Sequence, residues 1–486
     1  MDNNVSRWLA CAGIALLLVP ILTACSVTLQ GNAATTTPIT TATSSAAAPA
    51  PDAPGGPAAS NDKVVKWINA TAHPLETTDP AAPLDDLAPL ENIVGQAEVV
   101  GLGEATHGSS EIWTIKQRMV RYLVEHMGFT GFVLEVDWPI GQQLDAYTLN
   151  GAGDPHTILA SFPWNSQEVV SLFEWLRAYN ADPQHPHKVR VSGMDVGSEM
   201  ARPTTATFGS VTDYVQTNAP DLLPQVQQSY SALVAAPFEL SSYTALPQPT
   251  KEQYAAQAQQ VVELLQQHEA AMVERSSRAA FAWALQHAQV IRHFAQMQAL
   301  FGTDPGAAFT YHDQAMAENA GWWHDRYGKT IIWAHNGHVA KHTMLAQVYP
   351  DKVMGTFLRA RFGDRYLSIG TSFGQGGYLA MKGQPSKGSA ESEAIGAITL
   401  GPPTPDSSNA VLDRADRDRY LLDLRPAPAP IRTWLQEPHP FRVGTAAAVD
   451  DPTWLAANTY GKGALGQWFD VLLQLRQVSS GHMPQN

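Results

Sequence analysis

The chain has 486 residues, a formal net charge of −14 and two cysteines. An acidic balance with no basic patch set against it excludes nucleic acid and anionic lipid surfaces as charge-recognised partners. Cys11 falls in the leader described next, so the mature chain keeps one cysteine. An internal disulfide and a cysteine-based zinc site are thereby excluded, and the core alone must hold the fold.

Residues 1–25 read as a lipoprotein signal peptide. Arg7 supplies the basic start, Trp8 to Thr23 is mostly apolar, and Leu22-Thr23-Ala24-Cys25 has the small residues before a cysteine that suit cleavage there. Cleavage leaves Cys25 lipidated, and the expected location is the bacterial cell envelope, with the membrane reached through that anchor. An uncleaved membrane anchor is the alternative. Residues 26–60 are rich in Thr, Ala, Pro, Ser and Gly, cannot bury enough apolar surface to fold, and read as a flexible tether. The remainder, 61–486, is long enough for one catalytic domain with a sizeable insertion.

After a helical lead-in (Lys63 to Ala70, Leu84 to Val94), the apolar run Val99 to Leu102 predicts a strand that ends in Gly103, Glu104 and His107. Ser109 or Ser110 is placed to N-cap the helix that follows, with Glu111 in its first turn. Ile112, Ile115, Met119 and Leu123 recur at helical spacing, and Gly128 is the expected stop. A second run, Gly131 to Leu134, ends in Glu135. This is a strand–helix–strand unit of about the minimum length for a parallel crossover, and chemistry gathers beyond the carboxyl ends of such strands. His107, just before a helix N-terminus, is expected to be neutral there and so suited to accept a proton. Capping of the loop is the plainer role for Glu104 and His107.

Trp164 to Asn180 predicts an amphipathic helix, and Lys188 to Met194 a strand closing on Asp195. Three strands then end in Glu104, Glu135 and Asp195, an acidic rim. Residues 201–310 are Gln- and Ala-rich with little strand signal, and predict a helical insertion over the strand ends, with long helices at Tyr254 to Leu265 and Ala279 to Met297. Tyr311 to Tyr327 is a further helix. Thr330 to Trp333 is a buried strand that ends in His335 and His338. Asp364 to Ile369 reads as a strand, then a Gly-rich loop from Thr371, with 375–408 loop-like. Leu421 to Leu424 and Ile431 to Leu435 read as a strand and a helix, Trp468 to Leu475 as a terminal helix, and the tail after Val478 as frayed. The fold class is α/β: a mostly parallel central sheet flanked by helices, with the helical insertion over the strand carboxyl edge.

Four chemistries compete for these residues. The first is ester hydrolysis by water activated at His107, aided by Glu104 and Glu135, with His335 and His338 on the opposite wall and Lys116 or Arg118 as donors. Arg118 reads equally as a solvated helix charge. The second is a metal-dependent hydrolase that uses the same Glu and His cluster as zinc or manganese ligands. The third is a serine nucleophile, because Gly370-Thr-Ser372-Phe-Gly374 fits G-x-S-x-G after a strand, although no helix is predicted after it. The fourth is a non-catalytic envelope lipoprotein that binds a ligand.

Six spaced motifs resemble the erythromycin esterase family: Gly103-Glu-Ala-Thr-His-Gly108, Phe132-Val-Leu-Glu135, Trp175-Leu-Arg-Ala-Tyr-Asn180, Gly193-Met-Asp195, Met316-Ala-Glu-Asn319 and Trp333-Ala-His-Asn-Gly-His338. They occur in the family's order between about residues 70 and 475. The resemblance implies a hydrolase that opens the macrolactone ester of 14-membered macrolides by attack of an activated water, with no cofactor or metal required. It makes His107 the general base, Glu104 and Glu135 its orienting carboxylates, and His335 and His338 the rest of the site. Substrate contact falls to Lys116, where the family commonly has Arg, and to Arg118 and Asp195. Lys keeps the charge and loses the bidentate fork.

Overall fold

The computed structural model describes residues 59–484 except 161–162, 198–202, 237–239, 345–351, 384–393 and 445. The signal peptide, Cys25 and nearly all of the tether lie outside the described residues.

The strands in chain order are β1 (His73–Pro74), β2 (Val99–Glu104), β3 (Gly131–Asp137), β4 (Arg190–Asp195), β5 (Thr330–His335), β6 (Tyr366–Gly383), β7 (Ala394–Leu400), β8 (Arg419–Asp423), β9 (His439–Arg442), β10 (Ala447–Val449), β11 (Tyr460–Gly463) and β12 (Val471–Val478). One mixed sheet runs β1-β8-β12-β6-β2-β5-β3-β4, with β7 and β10 added to β6 and a separate β9–β11 pair. The path from β12 through β6, β2, β5 and β3 to β4 is parallel throughout. The fold is therefore α/β, as the sequence predicts, with β1, β7 and β8 antiparallel at the far side.

Both sheet faces are buried, which is why the strands read as unbroken apolar runs. Val100, Leu102, Phe132, Leu134, Ile331 and Trp333 pack on one face with Ile112, Ile115 and Met119 of the Ser110–Met127 helix. Val99, Val133, Ile332 and Ala334 pack on the other with Met316, Ala320 and Trp323 of the Pro305–Tyr327 helix. Alternation along each strand thus sets which helix a terminal side chain meets. The crossover from β2 to β3 passes over β5, which enters later in the chain and seats Glu104 beside His335 in register. A register irregularity between Leu134 and Asp137 frees Glu135 from the ladder.

The helical region between β4 and β5 has a core of its own, with Phe208, Val211, Tyr230, Val261, Leu265 and Ile291 in contact. Its Arg278–Phe301 helix brings Val290 and Phe294 to the ends of β3 and β4, against Asp137, Asp195 and Gly197.

Four expectations are corrected. Residues from Thr371 to Gly383 continue β6 rather than form a Gly-rich loop, and Ala394–Leu400 is a strand. Part of the 375–408 stretch, 384–393, lies outside the described residues. The glycines misled because they serve close approach: a Cβ on Gly370 would meet the Phe469 ring at 2.6 Å. Val471–Val478 is β12, not a helix; it is enclosed by β6 and β8, and a short apolar run buried on both faces carries no period. Nor is the tail frayed. Ser479 N–H donates to Glu111 Oε2 at 2.6 Å, Gly481 N–H to Gly108 O at 2.8 Å, and His482 Nδ1 lies 2.7 Å from Glu168 Oε1.

Candidate active site

The carboxyl ends of β2, β3 and β5 meet, and the polar groups divide between the two sheet faces. On the first, Glu104 is fully buried; its Oε1 accepts from His107 Nδ1 at 2.7 Å, and its Oε2 from Lys116 Nζ at 2.9 Å and Trp333 Nε1 at 2.8 Å. Burial pushes the Glu104 carboxyl up, but Lys116, then His107, outweigh it and hold the group at about 2. Lys116 has little but Glu104 to set against its own burial and is drawn down to about 8.

His107 corrects an expectation. Burial lowers it, but the Glu104 hydrogen bond and the charges of Glu135 and Glu104 raise it above the ordinary histidine value. A carboxylate in contact outweighs a helix N-terminus that the ring only approaches. The result is a stronger base, not a weakened one. With Nδ1–H donated to Glu104, Nε2 is the nitrogen that can accept a proton. Trp164 meets the ring edge-on at 5.9 Å between centroids, and the His335 ring lies 4.9 Å away. The two imidazoles share one site.

His335 is locked neutral. Its Nε2–H donates to Gly444 O at 2.8 Å and its Nδ1 accepts from Gly337 N–H at 3.1 Å. Burial first, then the neighbouring His107 and His338, bring it down to about 3. Its backbone N–H donates to Glu135 Oε2 at 2.5 Å, which extends the pairing where the β3–β5 ladder stops.

On the second face, His338 stands between two carboxylates. Nδ1–H donates to Asp313 Oδ1 at 2.9 Å, and Nε2 lies 3.4 Å from Glu135 Oε1. Burial opposes its charge, but Asp313 and Glu135 raise it to about 9, so the ring is an imidazolium at neutral pH. Beyond it, His312 Nε2–H donates to Asp195 Oδ1 at 2.5 Å. Asp195, assigned to substrate contact from the sequence, is 2% exposed and faces that imidazole.

Arg118 and Lys116, the expected substrate contacts, are both buried and paired within the protein. Arg118 is fully buried and is held by Asp86 at 2.7 Å and by the Thr77 and Pro83 carbonyls. It is not a solvated charge, because its partners come from the lead-in some thirty to forty residues upstream. Lys116 lies behind Glu104, its Nζ 4.1 Å over the Trp333 ring. Ser109 occupies the N-cap position without capping; its hydroxyl pairs with Thr106 Oγ1 at 2.9 Å.

The serine reading is corrected as well. Ser372 sits within β6, fully buried, and its Oγ accepts from Asn409 Nδ2 at 2.9 Å. Among the described residues, no three His, Cys, Asp or Glu side chains are arranged to hold a metal ion, because the cluster is built as carboxylate–imidazole pairs. Sequence reasoning missed Trp164, His312 and Asp313. The last two sit inside a helical pattern, not where an apolar run stops; the adjacent His-Asp pair near the start of that helix was the available signal.

A mostly parallel sheet with paired carboxylates and imidazoles beyond its carboxyl edge defines an α/β protein equipped for proton transfer. The erythromycin esterase family model matches residues 124–478, and the chain belongs to that family. Glu135, His335 and His338 fall within the matched stretch; Glu104 and His107 precede it. The crystal structure of a Bacillus cereus protein is similar at a TM-score of 0.80 and 37% identity, covering 88% of this chain and 100% of that one. The crystal structure of a succinoglycan biosynthesis protein gives 0.75 and 32%, covering 87% and 99%. Erythromycin esterase type II of Escherichia coli is 25% identical over 298 residues, 55% of this chain and 67% of that protein.

Proposed function

We propose that this protein is a carboxylic ester hydrolase in which His107 activates water, with the macrolactone of 14-membered macrolides as the first substrate class to test. The observation that carries the reading is the 2.7 Å bond from His107 Nδ1 to a Glu104 carboxylate that is itself held by Lys116 and Trp333. In this account, His107 Nε2 takes a proton from water as the oxygen attacks the ester carbonyl. The His338 imidazolium offsets the negative charge that develops on the carbonyl oxygen. His107 then returns the proton to the departing alkoxide, which leaves as the alcohol and restores the base. Glu135 ties the two halves together through His335 N–H and His338. Arg118 has no part.

Family membership and the resemblance to an esterase support the substrate class. The test is mass spectrometry of macrolides and simple esters after incubation with the purified protein. A ring-opened macrolide heavier by one water, or the free acid and alcohol of a simple ester, formed equally after exhaustive chelation, is the expected result. Turnover abolished by chelation and restored by zinc or manganese would replace His107 with a metal ion as the group that activates the attacking water. We also propose that Cys25 carries a lipid that holds the enzyme in the cell envelope; incorporation of a labelled fatty acid, lost in Cys25→Ser, is the check.

A further inference from the structure

The hydrolytic scheme uses His338 as a fixed positive charge and leaves Asp313, His312 and Asp195 beside it without a role. Asp313 is fully buried, and its Oδ1 accepts both His338 Nδ1–H at 2.9 Å and Met354 N–H at 2.6 Å. Its other oxygen, Oδ2, has no hydrogen-bond partner among the described residues, and neither has Nδ1 of His312; the two atoms face each other at 3.7 Å. His312 is anchored on its far side to Asp195, at the end of β4. Acids and imidazoles therefore alternate from Glu135 through His338, Asp313 and His312 to Asp195, across two strand ends and the Pro305–Tyr327 helix.

A carboxylate placed only for packing would be expected to have both oxygens bonded, since a buried acceptor left open is unfavourable. Here one oxygen is committed to His338 and the other is held just out of reach of a second imidazole. We propose that Asp313 is the positioning residue of the site: it fixes the orientation and charge of the His338 ring, while His312 opposes that charge from the other side. The proposal rests on the hydrolytic reading for its consequence, not for its geometry.

Among the described residues, the titratable groups that act on His338 include Asp313 and His312 from the helix, Glu135 from β3, His107 from the catalytic loop and His335 from β5. Two of these are carboxylates and three are imidazoles, so removal of one kind must move His338 the opposite way from removal of the other. Asp313→Asn keeps the shape and an acceptor for Nδ1–H but removes the charge. His312→Gln removes a competing positive charge.

The experiment follows the His338 ring resonance against pH by NMR, which needs no substrate, together with kcat and KM on whichever ester is turned over. Asp313→Asn is expected to weaken proton binding at His338 by about ten-fold or more and to lower kcat by at least that factor at little changed KM. His312→Gln is expected to strengthen it. Both variants melting lower with the His338 midpoint unmoved would mean a structural role and overturns the proposal. So does an Asp313→Asn enzyme with wild-type midpoint and kcat. Should Asp313→Asn not fold, a midpoint that is unmoved or lowered in His312→Gln overturns it. Activity surviving in His107→Ala, by contrast, removes the hydrolytic reading and leaves the His338 result to stand on its own.

Discussion

Replacing Lys116 with Met tests how the base is supported. The side chain is 1% exposed and its partner Glu104 is 0% exposed, with 2.9 Å between charges. Met preserves length and apolar packing, so the change removes charge and little else. Breaking a buried pair by removing one partner costs about 3–5 kcal/mol, because the remaining charge is left uncompensated. That is a large part of the stability of an ordinary domain, so some of the Glu104 population should respond by taking up a proton. The sign is fixed by the folded value of Glu104, about 2, which lies below its unfolded value. Stability from this group is complete above the unfolded value and is lost as pH falls through about 2. Without Lys116 the folded value climbs, so the loss begins at higher pH. Once protonated, Glu104 no longer supports positive charge on His107, and the general-base contribution, ~100-fold or more, declines with it. Urea unfolding at pH 5 and pH 7, with kcat measured alongside, reads both effects. Stability within about 1 kcal/mol of wild type at both pH values, with kcat unchanged, would refute the argument that Lys116 sustains the pair.

Three further outcomes follow from the same geometry. The pH profile of kcat/KM should be bell-shaped: activity rises as His107, raised above the ordinary histidine value, loses its proton, and falls near pH 9 as His338 loses its own; a plateau persisting well beyond that point contradicts the role of His338. Gly108→Ala should cut kcat by about 100-fold, the scale of a 1 Å misplacement, because a Cβ there runs into the Leu379 carbonyl oxygen and must move the loop that carries His107. Ser372→Ala should keep kcat within about two-fold and cost about 1 kcal/mol for the lost Asn409 bond; covalent labelling of Ser372 by a fluorophosphonate would contradict this.

The strand ends were legible because each apolar run stops abruptly at a polar side chain, and the sheet gathers such ends on one edge. Glu104, His107, Glu135, His335 and His338 all come from that pattern. What could not be read is the pairing order, which is a long-range property: β5 enters between β2 and β3 from some two hundred residues downstream. The same limit hid the partners of Arg118. β12 was misread because a run buried on both faces has no alternation to distinguish it from a helix. Asp313 was invisible for a related reason: a helical position shows its neighbour only once the helix is packed, and His338 lies twenty-five residues further on.

The most direct test of the central claim is hydrolysis in ¹⁸O-labelled water by wild type and His107→Ala. The account predicts one labelled oxygen in the product carboxylate with wild type, and a rate lower by ~100-fold or more in the variant whose fold is otherwise intact. Label incorporation by His107→Ala at close to the wild-type rate would show that another group activates the water.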